Sequence, residues 1–292
     1  MSAALTLSAT PHRRATWRVT PASAIPGFGI AFGYAILYLA LIVLLPLAAL
    51  VLKASAMGLA GWWAAVSDER VVAALKTSFG ISLAAAGVDS VFGLLVAWVL
   101  TRYRFAGRKI LDATIDLPFA LPTAVAGIAL AAIYAPNGWI GRLVEPLGIK
   151  IAFTPLGIFV ALVFVGLPFA VRAVEPLIAE LDRELEEASA TLGATRRQTV
   201  WKVVIPPLIP AVITGFALAF ARAVGEYGSV IFIAGNMPYV SEIAPLLIVI
   251  KLEEFNYGGA TAIATIMLAI SFATLLLINL LQAYSRRRYG HG

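Results

Sequence analysis

The sequence predicts an all-α integral membrane protein with six transmembrane helices, and two observations carry this prediction. Of the 292 residues, 61% are hydrophobic and 13% charged, whereas soluble domains have about 45–50% apolar and about 25% charged residues. Apolar runs long enough to cross about 30 Å of hydrocarbon, at about 1.5 Å per residue, also recur along the chain. The six predicted spans are residues 30–53, 75–101, 113–134, 156–175, 208–235 and 259–283.

The first run, residues 30–53, follows a basic tail, as the apolar region of a cleaved secretory signal would. Arg13, Arg14 and Arg18 precede it, and Ala54-Ser55-Ala56 comes directly after it. A signal has an apolar region of about 7–15 residues, whereas this run is long enough to span a bilayer. We therefore expect an uncleaved first span, with an N-terminal tail at 1–29 and a C-terminal tail at 284–292.

Lysine and arginine predict the orientation of the spans, because short cytoplasmic loops retain positive charge. Of the 22 Lys and Arg residues, fifteen lie in the two tails, the second-to-third loop and the fourth-to-fifth loop, and five lie on the opposite side. Both termini are therefore predicted to be cytoplasmic. The membrane also accounts for the net charge of +6, so we expect no nucleic-acid partner.

A further apolar run between the fifth and sixth spans, residues 244–250, is followed by Lys251 and Glu253. This run is too short to cross a bilayer. It predicts an interfacial or re-entrant element.

The loop at 176–206 between the fourth and fifth spans is polar and strongly patterned. Its apolar residues recur every three or four positions, which predicts an amphipathic helix: they are Ile178, Leu181, Leu185, Ala188 and Leu192. Gly193 should end this helix in a left-handed turn. Thr195 and Gln198 form a capping box that opens a second helix, predicted to end before Pro206 and Pro207. This helical hairpin could be a solvated connection, or it could be a docking element that offers a partner an apolar anchor with a charged rim.

Residues of the hairpin resemble the EAA motif of ABC importer permeases. That motif reads Glu-Ala-Ala, three residues, Gly, nine residues, Ile-x-Leu-Pro, and the chain has the residues EAS at 187–189, Gly193 and VVIP at 203–206. The resemblance implies a coupling helix that sits in a cleft of an ATPase subunit and transmits its closure. By the same resemblance, residues 187–193 would form an elbow that moves with the ATPase. Glu187 would orient this elbow, Gly193 would permit its turn and Leu192 would anchor in the cleft. The implied docking residues are Glu187, Ala188, Ser189, Leu192, Gly193 and Ala194.

Two longer stretches resemble one particular type of importer permease. Residues 116–127 (DLPFALPTAVAG) and 221–236 (ARAVGEYGSVIFIAGN) are similar to sulfate and thiosulfate permease subunits of the CysT (CysU) type. Molybdate permeases share a similar Arg-Ala-x-Gly-Glu stretch, so a molybdate or tungstate importer is the alternative. The resemblance implies a type I ABC importer bundle in the bacterial inner membrane. The implied partners are an ATPase dimer, a second CysW-like permease and a periplasmic sulfate- or thiosulfate-binding protein.

A charged side chain at bilayer depth is costly and therefore rare, so each one is expected to have a partner or a functional role. Arg222 and Glu226 are four residues apart, so we expect them on one face near the middle of the fifth helix. They could form a neutral pair that locks this helix to a neighbour, or Arg222 could supply positive potential to an anion route while Glu226 holds it. Asp89, in the second span, has no cation three or four residues away.

An anion route also needs hydrogen-bond donors or a helix N-terminus. Ser and Thr in membrane helices more often bond backbone or neighbouring helices. The candidate donors are Thr77, Ser78, Ser82, Thr123, Thr214, Ser229 and Asn236. Pro118 and Pro122 should interrupt the backbone hydrogen bonds at the start of the third helix. Such an interruption could form a gate or a structural kink.

Several function classes are disfavoured by missing residues. The chain has no cysteine and no Gly-x-x-x-x-Gly-Lys-Ser/Thr pattern, and its histidines, His12 and His291, lie near its ends. We therefore expect no metal or cofactor in this chain, with ATP and Mg²⁺ on a partner ATPase. A membrane enzyme or a secondary anion transporter is the less favoured alternative, the latter because no inverted repeat is evident.

Overall fold

A computed structural model describes residues 27–289, and the side chains up to residue 284. The predicted N-terminal tail, with Arg13, Arg14 and Arg18, lies outside the described residues except for its last three positions. The side chains of the C-terminal arginines 286–288 also lie outside them.

The described residues form helices joined by loops, and they contain no strand. In chain order the helices are α1 (Phe28–Ser55), α2 (Gly58–Val66), α3 (Glu69–Arg102), α4 (Arg108–Ile115), α5 (Leu117–Ala120), α6 (Thr123–Tyr134), α7 (Gly141–Val144), α8 (Pro155–Glu180), α9 (Arg183–Thr191), α10 (Arg196–Val224), α11 (Val230–Ile233), α12 (Ala244–Glu253) and α13 (Tyr257–Tyr289). A 3₁₀ turn at Glu145–Leu147 follows α7.

The predicted all-α membrane class is confirmed. Among the described residues, five helices are long and apolar enough to cross a membrane: α1, α3, α8, α10 and α13. The predicted third span corresponds to α6, an apolar helix of 12 residues that would rise about 18 Å. The count of six spans is compatible with this arrangement.

Among the described residues, those up to Ala49 form a unit of their own. It contains most of α1, and a π-helical stretch, Ala40–Leu44, interrupts the helix there. None of the residues from Phe28 to Leu44 is buried. A helix that is apolar on all faces and exposed is suited to contact with lipid.

The second unit, from Leu50 onward, has a core of α3, α8 and α10. Small residues bring these helices together: a Cβ added at Gly93 would overlap Ala170, and one added at Gly215 would lie 3.1 Å from Ala170 Cα. Close packing through small residues is the usual basis of helix association in membranes, where lipid is as apolar as the helices.

Two predicted spans are not continuous. The span predicted over 113–134 is interrupted near its start, as expected from Pro118 and Pro122: the chain forms α4 and α5, becomes extended at Leu121 and Pro122, and restarts as α6. Proline has no N–H and fixes its own φ, so Pro122 ends one helix and precedes the next. The prediction of one continuous helix over 208–235 is wrong for its last part. Helix α10 stops at Val224, and a turn and α11 follow. Glu226 therefore lies beyond the helix, and Arg222 lies in its last turn.

The loop at 176–206 also differs from the prediction. Helix α8 runs to Glu180, so Ile178 belongs to that helix and not to the hairpin. The chain then breaks, and Asp182 caps α9 by accepting a 3.0 Å hydrogen bond from Glu184 N. The second helix does not end before the two prolines: it widens into π-turns at Val200–Val204 and continues as α10. The wider turn lets the chain accommodate Pro206 and Pro207, which cannot donate backbone hydrogen bonds.

The element predicted at 244–250 is helix α12, Ala244–Glu253. Its 10 residues span about 15 Å, too short to cross a bilayer. Its N-terminal amide, Ala244 N, donates to the buried hydroxyl of Ser78 on α3 at 2.8 Å.

Candidate functional site

The first candidate site is the docking hairpin, which we define as residues 182–204. Its turn is a Schellman motif: Gly193 N donates to Ala190 O and Ala194 N donates to Ser189 O, both at 3.0 Å. Gly193 adopts a φ of 82°, in the left-handed region that glycine occupies without strain. The expected left-handed turn at Gly193 is therefore present.

The two arms of the hairpin are joined by a hydroxyl pair. Ser189, which is buried, lies 2.8 Å from Thr199 across the turn, measured between Oγ and Oγ1. The expected capping box is also present, with Thr195 and Gln198 bonding each other's backbone N–H groups. Ser189 departs from the EAA pattern, and its hydroxyl gives the departure a structural role.

The tip of the hairpin presents an apolar side chain to solvent. Leu192 is 87% exposed, and Leu185 is 51% exposed. Glu187 is also exposed, and it forms no hydrogen bond or ion pair with any described residue. An exposed leucine at the tip of a helical hairpin has the position and polarity expected of an apolar anchor.

The base of the hairpin is held by residues that the sequence analysis did not single out. Glu186 lies 3.2 Å from Arg196 on the other arm and 3.4 Å from Arg102 at the end of α3. Arg102 also donates from Nη2 to Leu181 O at 2.9 Å. Because Arg102 and Leu181 lie 79 positions apart, no local pattern could have shown the contact.

The second candidate site surrounds the end of α10. Arg222 Nη1 and Glu226 Oε2 form an ion pair at 2.5 Å. Glu226 Oε1 accepts hydrogen bonds from the backbone N and the Oγ of Ser229, both at 2.9 Å. The Glu226 side chain is 2% exposed, whereas that of Arg222 is 33% exposed. The carboxylate is therefore enclosed by its partners while the guanidinium reaches the surface.

The broken third span lies next to this ion pair. Pro118 is in the first turn of α5, and Pro122 occupies the N-cap position of α6. No described side chain caps the N-terminus of α6, so its first amides at Thr123 keep free hydrogen-bonding capacity. On the other side of the break, Arg172 of α8 pairs with Asp116 at 2.5 Å and with Asp112 at 2.8 Å, which fastens α4 to α8.

The two breaks pack directly against each other. A Cβ added at Gly228 would overlap Thr123 Oγ1, and a Cβ added at Gly127 would overlap Ser229 O. The structure thus brings Thr123 and Ser229 together beside the Arg222–Glu226 pair. Asn236 lies farther along the chain, where its Nδ2 donates to Ile231 O at 2.9 Å and its φ is 53°.

Asp89 lies in the core between α3 and α8, and it is 1% exposed. A Cβ added at Gly166 would overlap its Oδ2, and its Oδ1 has no hydrogen-bond partner among the described residues. Asp89 therefore faces the bundle interior, as the cost of a carboxyl in lipid requires.

The described residues thus combine a helical membrane core with a hairpin whose apolar tip is exposed. The family described as "Binding-protein-dependent transport system inner membrane component" matches residues 89–291. The chain belongs to this family. That match covers the last part of α3 and all helices from α4 to α13, so both candidate sites lie within it.

Curated relatives extend the similarity to most of the chain. The chain is 52% identical over 252 residues to "Sulfate transport system permease protein CysT" of Synechocystis sp., which covers 86% of this chain and 88% of that protein. It is 50% identical over 268 residues to the protein of the same name in Salmonella typhimurium, covering 91% and 97%.

Solved structures share the fold at low identity. An alginate ABC transporter, in complex with an alginate-bound periplasmic protein, gives a TM-score of 0.74 at 16% identity, covering 91% of this chain and 96% of that chain. The MetNI methionine ABC transporter gives a TM-score of 0.54 at 20% identity, covering 76% and 97%.

Proposed function

We propose that this chain is a permease subunit of an ATP-driven ABC importer that carries sulfate and thiosulfate across the bacterial inner membrane. The observation that carries the proposal is the identity of about half of all aligned positions with sulfate permeases over nearly their whole length. The docking hairpin and the intramembrane cation are the features that such a subunit needs.

The proposed assembly has a homologous CysW-like permease beside this chain and an ATPase dimer on the cytoplasmic face. A periplasmic sulfate- or thiosulfate-binding protein delivers the anion. ATP and Mg²⁺ bind to the ATPase, which also performs the hydrolysis, and this chain is a passive translocation subunit. Both termini are cytoplasmic, as the distribution of Lys and Arg predicts.

Docking of the hairpin explains how the ATPase drives the membrane core. Leu192 inserts into a cleft of the ATPase, Glu187 meets its polar rim, and Gly193 keeps the elbow in shape. Ala188 and Ala194 are small enough to let the two surfaces approach. When the ATPase closes on ATP, the hairpin moves as a rigid body and switches the bundle between inward and outward access. The Schellman motif and the Ser189 hydroxyl pair support this rigidity.

The anion route passes the junction of the two breaks. Arg222 is partly exposed there and contributes positive potential, and Glu226 fixes its position. Ser229 already donates both its N–H and its O–H to Glu226, so it positions the carboxylate. Thr123 and the first amides of α6 are then the donors left for a tetrahedral anion. Pro118 and Pro122 keep this segment irregular, which is tolerated at membrane depth where the backbone lines a cavity or is buried in protein.

Uptake of ³⁵S-sulfate tests the proposal. The chain and its cognate partners are expressed in cells that lack the endogenous sulfate permease. Uptake is measured once with the active ATPase and once with an inactive variant of it. We expect ATP-dependent uptake that unlabelled thiosulfate inhibits. Uptake of molybdate without sulfate would overturn the substrate, and uptake that persists with the inactive ATPase would favour a secondary anion transporter.

A further inference from the structure

We propose that Arg102 is a positioning residue that joins the docking hairpin to helix α3, so that movement of the hairpin reaches the core of the bundle. The inference rests on the proposed function, because it names how the hairpin acts on the membrane helices. It concerns a residue outside the EAA-like residues and outside the Arg222–Glu226 junction.

The Arg102 guanidinium contacts the break after α8, helix α9 and a tryptophan of its own helix, α3. Its Nη2 donates to Leu181 O at 2.9 Å, at the break between α8 and α9. The same nitrogen lies 3.4 Å from Glu186 Oε1 on α9, and the guanidinium carbon lies 5.2 Å from the centroid of the Trp98 ring on α3 itself. The end of α3 is thereby fastened both to the break and to the hairpin.

The contact at Leu181 explains why the hairpin cannot pivot freely at its start. A carbonyl at a helix break has lost its intrahelical donor and needs another partner. Arg102 supplies a charged donor, which forms a stronger hydrogen bond than a neutral one. Rotation of the hairpin about the break would separate Leu181 O from Arg102, so the break is braced against α3.

Glu186 extends the brace across the hairpin. It pairs with Arg102 on one side and with Arg196 on the other arm, and the Ser189 hydroxyl pair joins the same two arms. Both arms therefore move together, and their polar link to α3 runs through Arg102.

The placement of Arg102 leaves one of its donors without a partner among the described residues. Its side chain is 10% exposed, and its Nε is buried without a hydrogen-bond partner among the described residues. A buried N–H without a partner is unfavourable and needs an explanation. The geometry at Nη2 and over Trp98 supplies one, because it fixes the guanidinium where it spans α3, the break and α9.

The test compares coupling with activity in the complete assembly reconstituted in vesicles. Arg102→Gln and Glu186→Gln are measured for sulfate uptake, for ATP hydrolysis stimulated by the binding protein, and for membrane level. We expect sulfate moved per ATP hydrolysed to fall about tenfold in Arg102→Gln, within the range found for residues along coupling networks. The double variant should lose less than the product of the two single losses, because the two changes share the Arg102–Glu186 link.

Two matched variants serve as controls: one tests whether loss of a nearby positive charge is enough, and the other tests the contact between Glu186 and the second arm of the hairpin. Arg104→Gln removes a nearby exposed arginine that pairs with no described residue, and it should leave the ratio unchanged. Arg196→Gln removes the other partner of Glu186, and it should have a smaller effect than Arg102→Gln. A parallel loss of uptake and hydrolysis in Arg102→Gln, with an unchanged ratio, would overturn the inference and leave the proposed function standing.

A second measurement does not depend on the transported anion. The chain contains no cysteine, so cysteines introduced at Tyr103 and Glu184, both exposed, can carry spin labels in an assembly with cysteine-free partners. We expect one narrow distance distribution, with and without ATP, that broadens in Arg102→Gln. An equally narrow distribution in the variant would show that Arg102 does not hold the hairpin to α3. Absence of sulfate uptake by the wild type would instead refute the substrate while these distances still decide the role of Arg102.

Discussion

Replacing Gly193 with valine tests the docking hairpin at a position where only the backbone conformation requires glycine. An added Cβ at Gly193 would meet nothing within 4 Å, yet the residue has a φ of 82°. The left-handed region costs an L-residue about 1–2 kcal/mol, and a β-branched residue is disfavoured there most strongly. Because no contact is lost, this cost is the whole expected effect on the turn.

The magnitude follows from that cost. A penalty of about 1–2 kcal/mol lowers the population of the observed turn by about 5- to 30-fold relative to its alternatives. The Schellman hydrogen bonds from Gly193 N and Ala194 N exist only in this turn. Leu192 would then leave the position from which we propose that it reaches the ATPase, and sulfate uptake should fall by up to a similar factor.

The assay is ³⁵S-sulfate uptake at matched membrane levels for a series at Gly193. Asparagine tolerates the left-handed region better than other residues with a Cβ, so Gly193→Asn should keep most of the uptake. Gly193→Ala should be intermediate and Gly193→Val lowest. Wild-type uptake by Gly193→Val, or equal damage from asparagine and valine, would refute the argument from backbone conformation.

Three further predictions concern the hairpin and the junction of the two breaks. Ser189→Ala removes the hydroxyl pair across the hairpin and should lower the free energy of unfolding by about 1 kcal/mol, seen as a lower melting temperature of the purified assembly. Arg222→Ala leaves the buried Glu226 carboxylate without its cation and should destabilise the chain by about 3–5 kcal/mol. The double variant with Glu226→Ala should regain thermal stability without regaining uptake. Recovery of both stability and uptake would show that the pair is purely structural. Gly228→Ala would overlap the Thr123 hydroxyl and should abolish uptake, while Gly225→Ala, which meets nothing within 4 Å, should leave uptake unchanged.

The sequence predicted the features that depend on neighbouring residues. Composition and run length gave the membrane helices, because burial in lipid needs long apolar stretches. The capping box at Thr195 and the left-handed turn at Gly193 were predictable because both are local motifs with fixed spacing. The membrane class and the shape of the elbow therefore follow from short windows of sequence.

The features that were missed depend on tertiary packing. The end of α10 at Val224 was missed although Gly225 and Gly228 follow it, because the run at 208–235 is long enough to be a single span. Pro206 and Pro207 suggested a helix end, yet the π-turns before them carry the helix onward. The contacts of Arg102 join distant positions, and charge patterning within one loop cannot reveal them.

The breaks in the third and fifth spans are best understood as one structure. A backbone that leaves the helix at membrane depth has N–H and C=O groups that lipid cannot satisfy. Here the two irregular stretches cover each other: Gly228 lies against Thr123, and Gly127 lies against Ser229 O. Only glycine permits both approaches, because a Cβ at either position would overlap its neighbour. The ion pair of Arg222 and Glu226 then fastens the end of α10 to the same turn. A movement of α10 should therefore alter the turn at Gly228 and the start of α6 together, and we predict that any gate on the proposed anion route lies at this junction.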